Sequence, residues 1–400
     1  MFRKPFTPHS FHQKQRFNRF GHKNNIPNRF VGPEFIHKSR YVNKSQTHKT
    51  EEVVINKHAF ADFQIDDKLK QNIITHGYTD PTPIQDQAIE PILEGKDVVG
   101  IANTGTGKTA AFLIPLIDKI MRNRSEKALI MIPTRELAVQ IAQELSAFAK
   151  GLDIKSVVCI GGANMQGQMQ SLRRNPSIII ATPGRLKDLV QRRLINLQLF
   201  KTIILDEVDR MLDIGFVHEI KFIISLLPPI RQSLFFSATV STQINTLIQS
   251  FTKEPLTISV KVKETAEHID QDIIRISDKN EKLEKLASLL KQEEFKKVLV
   301  FGRTKWGVEK LSKKLQQQGF SVDSIHGNKS QNQRIRVLNL FKENRLQVLV
   351  ATDVAARGLD IESVSHVINF DEPATMTDYI HRIGRTGRAE KSGKALTFVG

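Results

Sequence analysis

One cysteine, Cys159, in 400 residues excludes an internal disulfide framework and a zinc site built from thiolates. It lies within an apolar run and reads as a small buried hydrophobe. No apolar stretch approaches the roughly 18 to 20 residues that span a bilayer, and no signal-type apolar segment follows the basic N-terminus. These absences suit a reducing, cytoplasmic setting. Acidic residues are nearly missing from the start of the chain. Residues 1–50 hold eleven Lys or Arg against a single acid, Glu34, which puts +10 of the net +17 there. A concentrated basic block suits a polyanionic partner, because neutralising phosphates releases counterions; it also suits a tail that only keeps the protein soluble.

Residues 1–57 lack a sustained helical or strand period and read as a disordered tail. Phe2, Phe6, Phe11, Phe17, Phe20, Phe30 and Phe35 are interspersed with Arg16, Arg19 and Arg29. Aromatics among cations can stack on unpaired bases while the charges follow a backbone. The same acid-poor pattern also suits an organelle transit peptide.

From residue 58 onward, short β-branched runs alternate with amphipathic helices. Strands are predicted at Asp97–Ala102, Ala128–Ile132, Ile154–Ile160, Ser177–Ala181, Thr202–Asp206 and Ser233–Ser237, with a helix over Arg135–Lys150. A second series covers Asp272–Ile276, Lys297–Phe301, Phe320–Ile325, Leu346–Val350, Ser365–Asn369 and Lys394–Val399. The fold class is therefore α/β: two doubly wound parallel-sheet lobes, residues 58–259 and 271–400, joined by a polar linker at 260–270. A cleft between such lobes is a common ligand site.

"DVVGIANTGTGKTAAF", Asp97 to Phe112, reads as a strand, a glycine-containing turn and a helix start. Backbone N–H groups of Thr104, Gly105, Thr106 and Gly107 would converge on phosphate oxygens at the helix N-terminus. Lys108 would reach the β- and γ-phosphates, and the Thr109 hydroxyl would ligate Mg²⁺. Ala102 stands where the usual pattern begins with Gly. In "ILDEVDRML", Ile204 to Leu212, an apolar strand ends in acids. Asp206 suits the Mg²⁺ partner, and Glu207 could orient or deprotonate an attacking water. In "YIHRIGRTGR", Arg382, Arg385 and Arg388 could cross a cleft towards a transferring phosphate.

The ordered set of motifs resembles the DEAD-box ATP-dependent RNA helicases of superfamily 2, with a bacterial-type compact core, from about Phe60 to the C-terminal end. The set runs "GYTDPTPIQ", "ANTGTGKT", "PTRELA", Gly161–Gly162, "TPGR", "DEVD", "SAT", "VFGRT", "HGNKSQNQR", "TDVAARGLD" and "HRIGRTGR". The resemblance implies two RecA-like lobes that bind ATP and Mg²⁺ and hydrolyse ATP to remodel RNA. It implies that Gln85 recognises the adenine edge, that Tyr78 and Phe60 pack around the base, and that Asp360 lies near the ribose. Arg385 and Arg388 become trans-lobe arginine fingers. Asp209, Ser237, Thr239 and His381 become coupling residues, with Asp209 bonded towards Ser237 and Thr239. RNA contacts are implied at Thr134, Arg135, Gly162, Thr182, Arg185, Arg303, Gly327, Gln331, Arg334 and Thr352, mostly to sugar and phosphate. Ribonucleoprotein or ribosome-assembly complexes are implied partners, with no membrane and a monomeric core.

"DEVD" departs from the family's usual third letter, Ala. Val208 adds methyl groups but removes no charge, so it should pack at the strand end and spare hydrolysis. Relatives usually continue past the last strand with a further helix; here the sequence stops at Gly400, cut short or lacking that element. His326 and His381 read as hydrogen-bonding groups and Trp306 as lobe packing. An ATP-gated RNA clamp and a DNA helicase are the rival functions.

Overall fold

The computed structural model describes residues 36–43, 58–103, 105–260, 269–356, 364–387 and 393–400, leaving out the side chains of 279 and 280. The expected positions Thr104, Asp360 and Arg388, together with residues 1–35 and 44–57, lie outside the described residues.

Seven strands form the first sheet: β1 (Val98–Ile101), β2 (Ala128–Met131), β3 (Ser156–Cys159), β4 (Ile178–Ala181), β5 (Thr202–Leu205), β6 (Gln232–Ser237) and β7 (Leu256–Ser259). Their order is β3-β4-β2-β5-β6-β1-β7, and every pairing is parallel. Parallel strands need helical crossovers on the sheet faces, so both faces are buried. Alternate residues accordingly feed two cores. Ile130, Ile178, Ile180 and Ile204 point to one, while Leu129, Met131, Ile179, Ile203 and Leu205 point to the other.

The second sheet contains β8 (Ile269–Arg275), β9 (Val298–Phe301), β10 (Val322–Ile325), β11 (Val348–Ala351), β12 (His366–Asn369) and β13 (Gly393–Val399). Its order is β10-β11-β9-β12-β13-β8, again parallel throughout. Two cores flank it in the same way. No helix among the described residues is long and apolar enough to cross a membrane.

The structure departs from expectation in five places. β7 has no counterpart in the sequence reading, because three of its four residues are exposed and the edge strand shows no apolar run. β8 starts at Ile269, inside the expected linker, since a single buried Ile among polar residues anchors it. Residues 36–43, read as part of the tail, dock on the second lobe, where Tyr41 is 1% exposed. Trp306 is 79% exposed, not lobe packing. β5 stops at Leu205, so Val208 is not a strand end; it opens helix Val208–Ile214 and is fully buried beside Leu205 and Met211.

Candidate active site and nucleic-acid interface

Strand order creates the site. β5, β6 and β1 are neighbours, so the residues following each of them meet at one carboxyl edge of the sheet. Register aligns Ile101 with Ser237 and Leu205 with Phe235, and Ala102 N–H donates to the Ser237 carbonyl at 3.0 Å. The phosphate-loop motif, "DEVD" and "SAT" thus become adjacent although about 100 residues separate the first from the second.

Gly107 caps helix Lys108–Arg122 with φ +88°, and a Cβ there would fall 2.3 Å from Gln85 Nε2. Only glycine lets the loop approach so closely. Lys108 is 6% exposed, and its Nζ donates to the Ala102 carbonyl at 2.8 Å, across the loop. Gln85 is fully buried: Oε1 accepts from Thr82 N–H at 2.8 Å, and Nε2 donates to the Gly107 carbonyl at 3.1 Å. Its amide therefore braces the loop. Phe60 and Tyr78 pair edge-on with centroids 6.1 Å apart, but Phe60 is 2% exposed and the Tyr78 hydroxyl donates to Glu144.

Asp206 is buried at the end of β5, and its Oδ1 accepts the Glu207 N–H at 2.9 Å. Burial pushes its carboxyl up to about 7; Lys108 opposes this, and the charges of Glu207 and Asp209 add to it. Glu207 holds φ +52°, a left-handed conformation strained for a side chain with a Cβ. Its Oε2 lies 3.0 Å from Arg210 Nη1, and Arg210 Nη2 donates to the Val354 carbonyl of the second lobe at 3.0 Å. Sequence reasoning missed Arg210, although its spacing of three from Glu207 on a helix was a usable signal.

Asp209 Oδ2 accepts the N–H groups of Ala238 and Thr239, at 3.1 and 3.0 Å, and the Thr239 hydroxyl at 3.2 Å. Asp209 N–H donates to Ser237 Oγ at 3.4 Å, and Ser237 Oγ donates to the Thr239 carbonyl at 2.7 Å. The bonds expected between Asp209 and the "SAT" turn are present.

Several positions expected to contact RNA follow the carboxyl ends of strands in the two sheets. Thr134 caps helix Arg135–Phe148, and Thr182 stands at the cap of helix Pro183–Gln191. Gly162, at φ +75°, makes room for the Arg135 guanidinium, which a Cβ would meet at 2.2 Å. Arg185 Nη1 donates to Gln168 at 2.9 Å. In the second lobe, Arg303 N–H donates to Asp371 at 2.8 Å, Gly327 lies beside Lys305, and the Thr352 carbonyl accepts from Ala355 and Ala356. His326 Nδ1 accepts from Asn328 N–H at 3.3 Å, so its Nε2 donates to Glu309 at 3.1 Å. Bonds from Ser324 and His326 hold the Glu309 carboxyl down at about 2.

Two expectations change. Gln331 and Arg334 do not open onto the cleft: they are 4% and 7% exposed and donate to Glu136 of the first lobe, at 3.2 and 2.7 Å. Arg382 is not a finger either. It is 2% exposed, gripping Asp353 through two nitrogens at 2.5 and 2.8 Å, and also bonds Asn369 and the Asp371 carbonyl. A buried planar guanidinium needs such a full set of acceptors, and sequence alone did not reveal which arginine had one. Arg385 is as buried, at 3% exposed, and its Nε donates to the His381 carbonyl at 3.2 Å.

A phosphate-loop lobe bonded to a second parallel α/β lobe through Arg210–Val354 and Glu136–Arg334 defines the class of two-lobe phosphate-loop proteins. The DEAD/DEAH box helicase family model matches residues 82–247, and the helicase conserved C-terminal domain matches 281–390. The chain is 44% identical over 342 residues to the ATP-dependent RNA helicase CshA of Listeria monocytogenes, covering 85% of this chain and 66% of the relative. The CshA protein of Limosilactobacillus reuteri is also 44% identical, with 85% and 69% covered. The chain belongs to the DEAD-box helicase family and spans about two thirds of the length of these curated relatives. Among solved structures, S. cerevisiae Dbp5 bound to RNA and ADP BeF3 superposes with a TM-score of 0.76 at 30% identity, covering 85% of this chain and 89% of that one. Mss116p bound to single-stranded RNA and AMP-PNP gives 0.76 at 32% identity, covering 84% and 72%.

Proposed function

We propose that the protein is an RNA-stimulated ATPase and RNA helicase acting in the cytoplasm. It binds single-stranded RNA across both lobes, separates short duplexes or remodels ribonucleoproteins, and hydrolyses ATP to release the strand. The observation that carries this reading is the joining of Lys108, Asp206 and Glu207 to the Asp209–Thr239 bonds at adjacent strand ends. CshA relatives described as ATP-dependent RNA helicases, and neighbours solved with RNA and nucleotide analogues, support it. We take 58–260 as the nucleotide lobe, 261–268 as the link, 269–400 together with 36–43 as the second lobe and 1–35 as a basic extension.

Lys108 would hold the terminal phosphates, Glu207 would align and deprotonate the water, and Arg385 and Arg388 would offset charge developing on the transferred group. Asp360 would approach the ribose and Gln85 the adenine. Mg²⁺ suits the oxygen donors present, because burial and the charges of Glu207 and Asp209 push the Asp206 carboxyl up, and a cation there would offset both. Thr109 and Asp206 would hold it, partly through water, and it would neutralise phosphate charge. Among the described residues, no group of three or more His, Cys, Asp or Glu could hold an ion without the nucleotide.

Phosphate release measured with and without RNA tests this function. Stimulation by RNA and not by its 2′-deoxy counterpart is expected. Equal rates with and without RNA would leave the reading without support, and equal stimulation by DNA would favour a DNA helicase.

A further inference from the structure

Residues 36–43 lie outside both family matches, yet they are built into the second lobe. Ile36 and Tyr41 share a core with Tyr379 and Ile383. The Tyr41 ring meets Tyr379 edge-on, with centroids 4.8 Å apart and planes at 61°. Asn43 closes a two-way antiparallel bridge on the edge strand β8: its N–H donates to Gln271 at 3.0 Å, and Gln271 N–H returns at 2.7 Å. The Tyr379 hydroxyl donates to Gln271 Oε1 at 2.9 Å, so segment, edge strand and helix Met376–Ile383 interlock.

That helix has 8 residues, too few to hold its shape or direction without tertiary support. Arg382 clamps its buried face to Asp353 and Asn369. On the same buried face, Tyr379 meets the Tyr41 ring, and Ile383 and Ile36 belong to the same core. Arg385 follows two residues beyond the helix and bonds back to its last turn through the His381 carbonyl. The direction of this short helix therefore sets where the Arg385 guanidinium points.

We propose that residues 36–43 are a positioning segment for Arg385, with Tyr41 as the wedge that fixes the helix presenting that arginine to the nucleotide cleft. The kinetic consequence rests on the ATPase reading above; the bracing does not.

Hydrogen exchange on the full chain reads the brace, and RNA-stimulated phosphate release reads the positioning. Tyr41→Ala removes the wedge, while Asn43→Pro removes the backbone donor to Gln271 and leaves Tyr41 in the chain. Both are expected to raise exchange over residues 376–385 and to lower kcat by about tenfold, with KM for ATP little changed. Tyr41→Phe keeps the ring and should match the parent in both measurements. Unchanged exchange in Tyr41→Ala overturns the brace. Raised exchange with parental kcat shows packing without positioning and overturns the proposal. If Tyr41→Ala fails to fold, Asn43→Pro carries both measurements. A parent chain that releases no phosphate with RNA indicts the ATPase reading, and the exchange data still decide the brace.

Discussion

Arg334 Nη2 in the second lobe lies 2.7 Å from Glu136 Oε2 in the first, with both side chains almost wholly buried. Burial lowers the Arg334 pKa, against the opposing pull of Glu136. Two charges removed from water hold together only as a pair, so losing one partner leaves the other uncompensated. Glu136→Ala is expected to weaken RNA affinity in the presence of a nucleotide analogue by about 3 kcal/mol, roughly 100-fold, with little effect in its absence. Fluorescence anisotropy checks this. A double-mutant cycle with Arg334→Ala separates an interlobe pair from a direct RNA contact: additive losses would deny the coupling.

Glu207→Gln keeps the size of the side chain and its acceptor for Arg210, and removes the proton acceptor. Turnover should fall by at least about 100-fold, while ATP and RNA binding stay within a few-fold. Single-turnover phosphate release beside equilibrium binding makes the comparison. Parental turnover would remove Glu207 from its assigned role.

Val208 is fully buried between Leu205 and Met211, and its apolar side chain has no donor or acceptor to offer the phosphate loop. Val208→Ala should therefore cost about 2 kcal/mol of stability through the cavity it leaves, with kcat close to parental. Denaturant midpoints and steady-state rates measure the two effects separately.

His366 is stacked on Phe295 with centroids 3.9 Å apart, and burial holds its pKa down at about 4, with Glu294 opposing and Lys394 adding. Its unfolded counterpart titrates near 6.5. Between those values the unfolded chain binds the extra proton, so stability rises with pH across the window and is lost as pH falls from about 6.5 to 4. The contribution is up to about 3 kcal/mol. Unfolding curves for His366→Gln should lack this part of the pH dependence. An identical pH profile would place the effect elsewhere.

Residues 1–35 hold seven Lys or Arg and one acid, whereas 36–43 belong to the second lobe. Deleting 1–35 alone should weaken RNA binding and flatten the dependence of log K on log salt, by about 0.7 for each phosphate that the stretch neutralises. An unchanged slope would assign this stretch to solubility.

Much of the molecule was legible in the linear order of residues. Continuous branched runs announce strands covered on both faces, which is why twelve predicted segments overlap the observed β1 to β6 and β8 to β13. The glycines, Lys108 and the acids after β5 also declare phosphate chemistry locally, because each strand end carries its own signal. What escaped was whatever lacked a local signature. β7 hides because it is an exposed edge, and Tyr41 because one aromatic among eight in a basic tail does not announce a core across the chain.

By itself, the sequence determined two parallel lobes and a nucleotide-handling edge, since periodicity and turn chemistry act over a few residues. Only tertiary structure decided which charges serve the cleft and which are engaged within the protein. Arg382 is held by Asp353, Arg334 by Glu136 and Arg210 by Glu207. A buried guanidinium is stable only where distant acceptors converge on it, and that convergence exists only once the chain has folded.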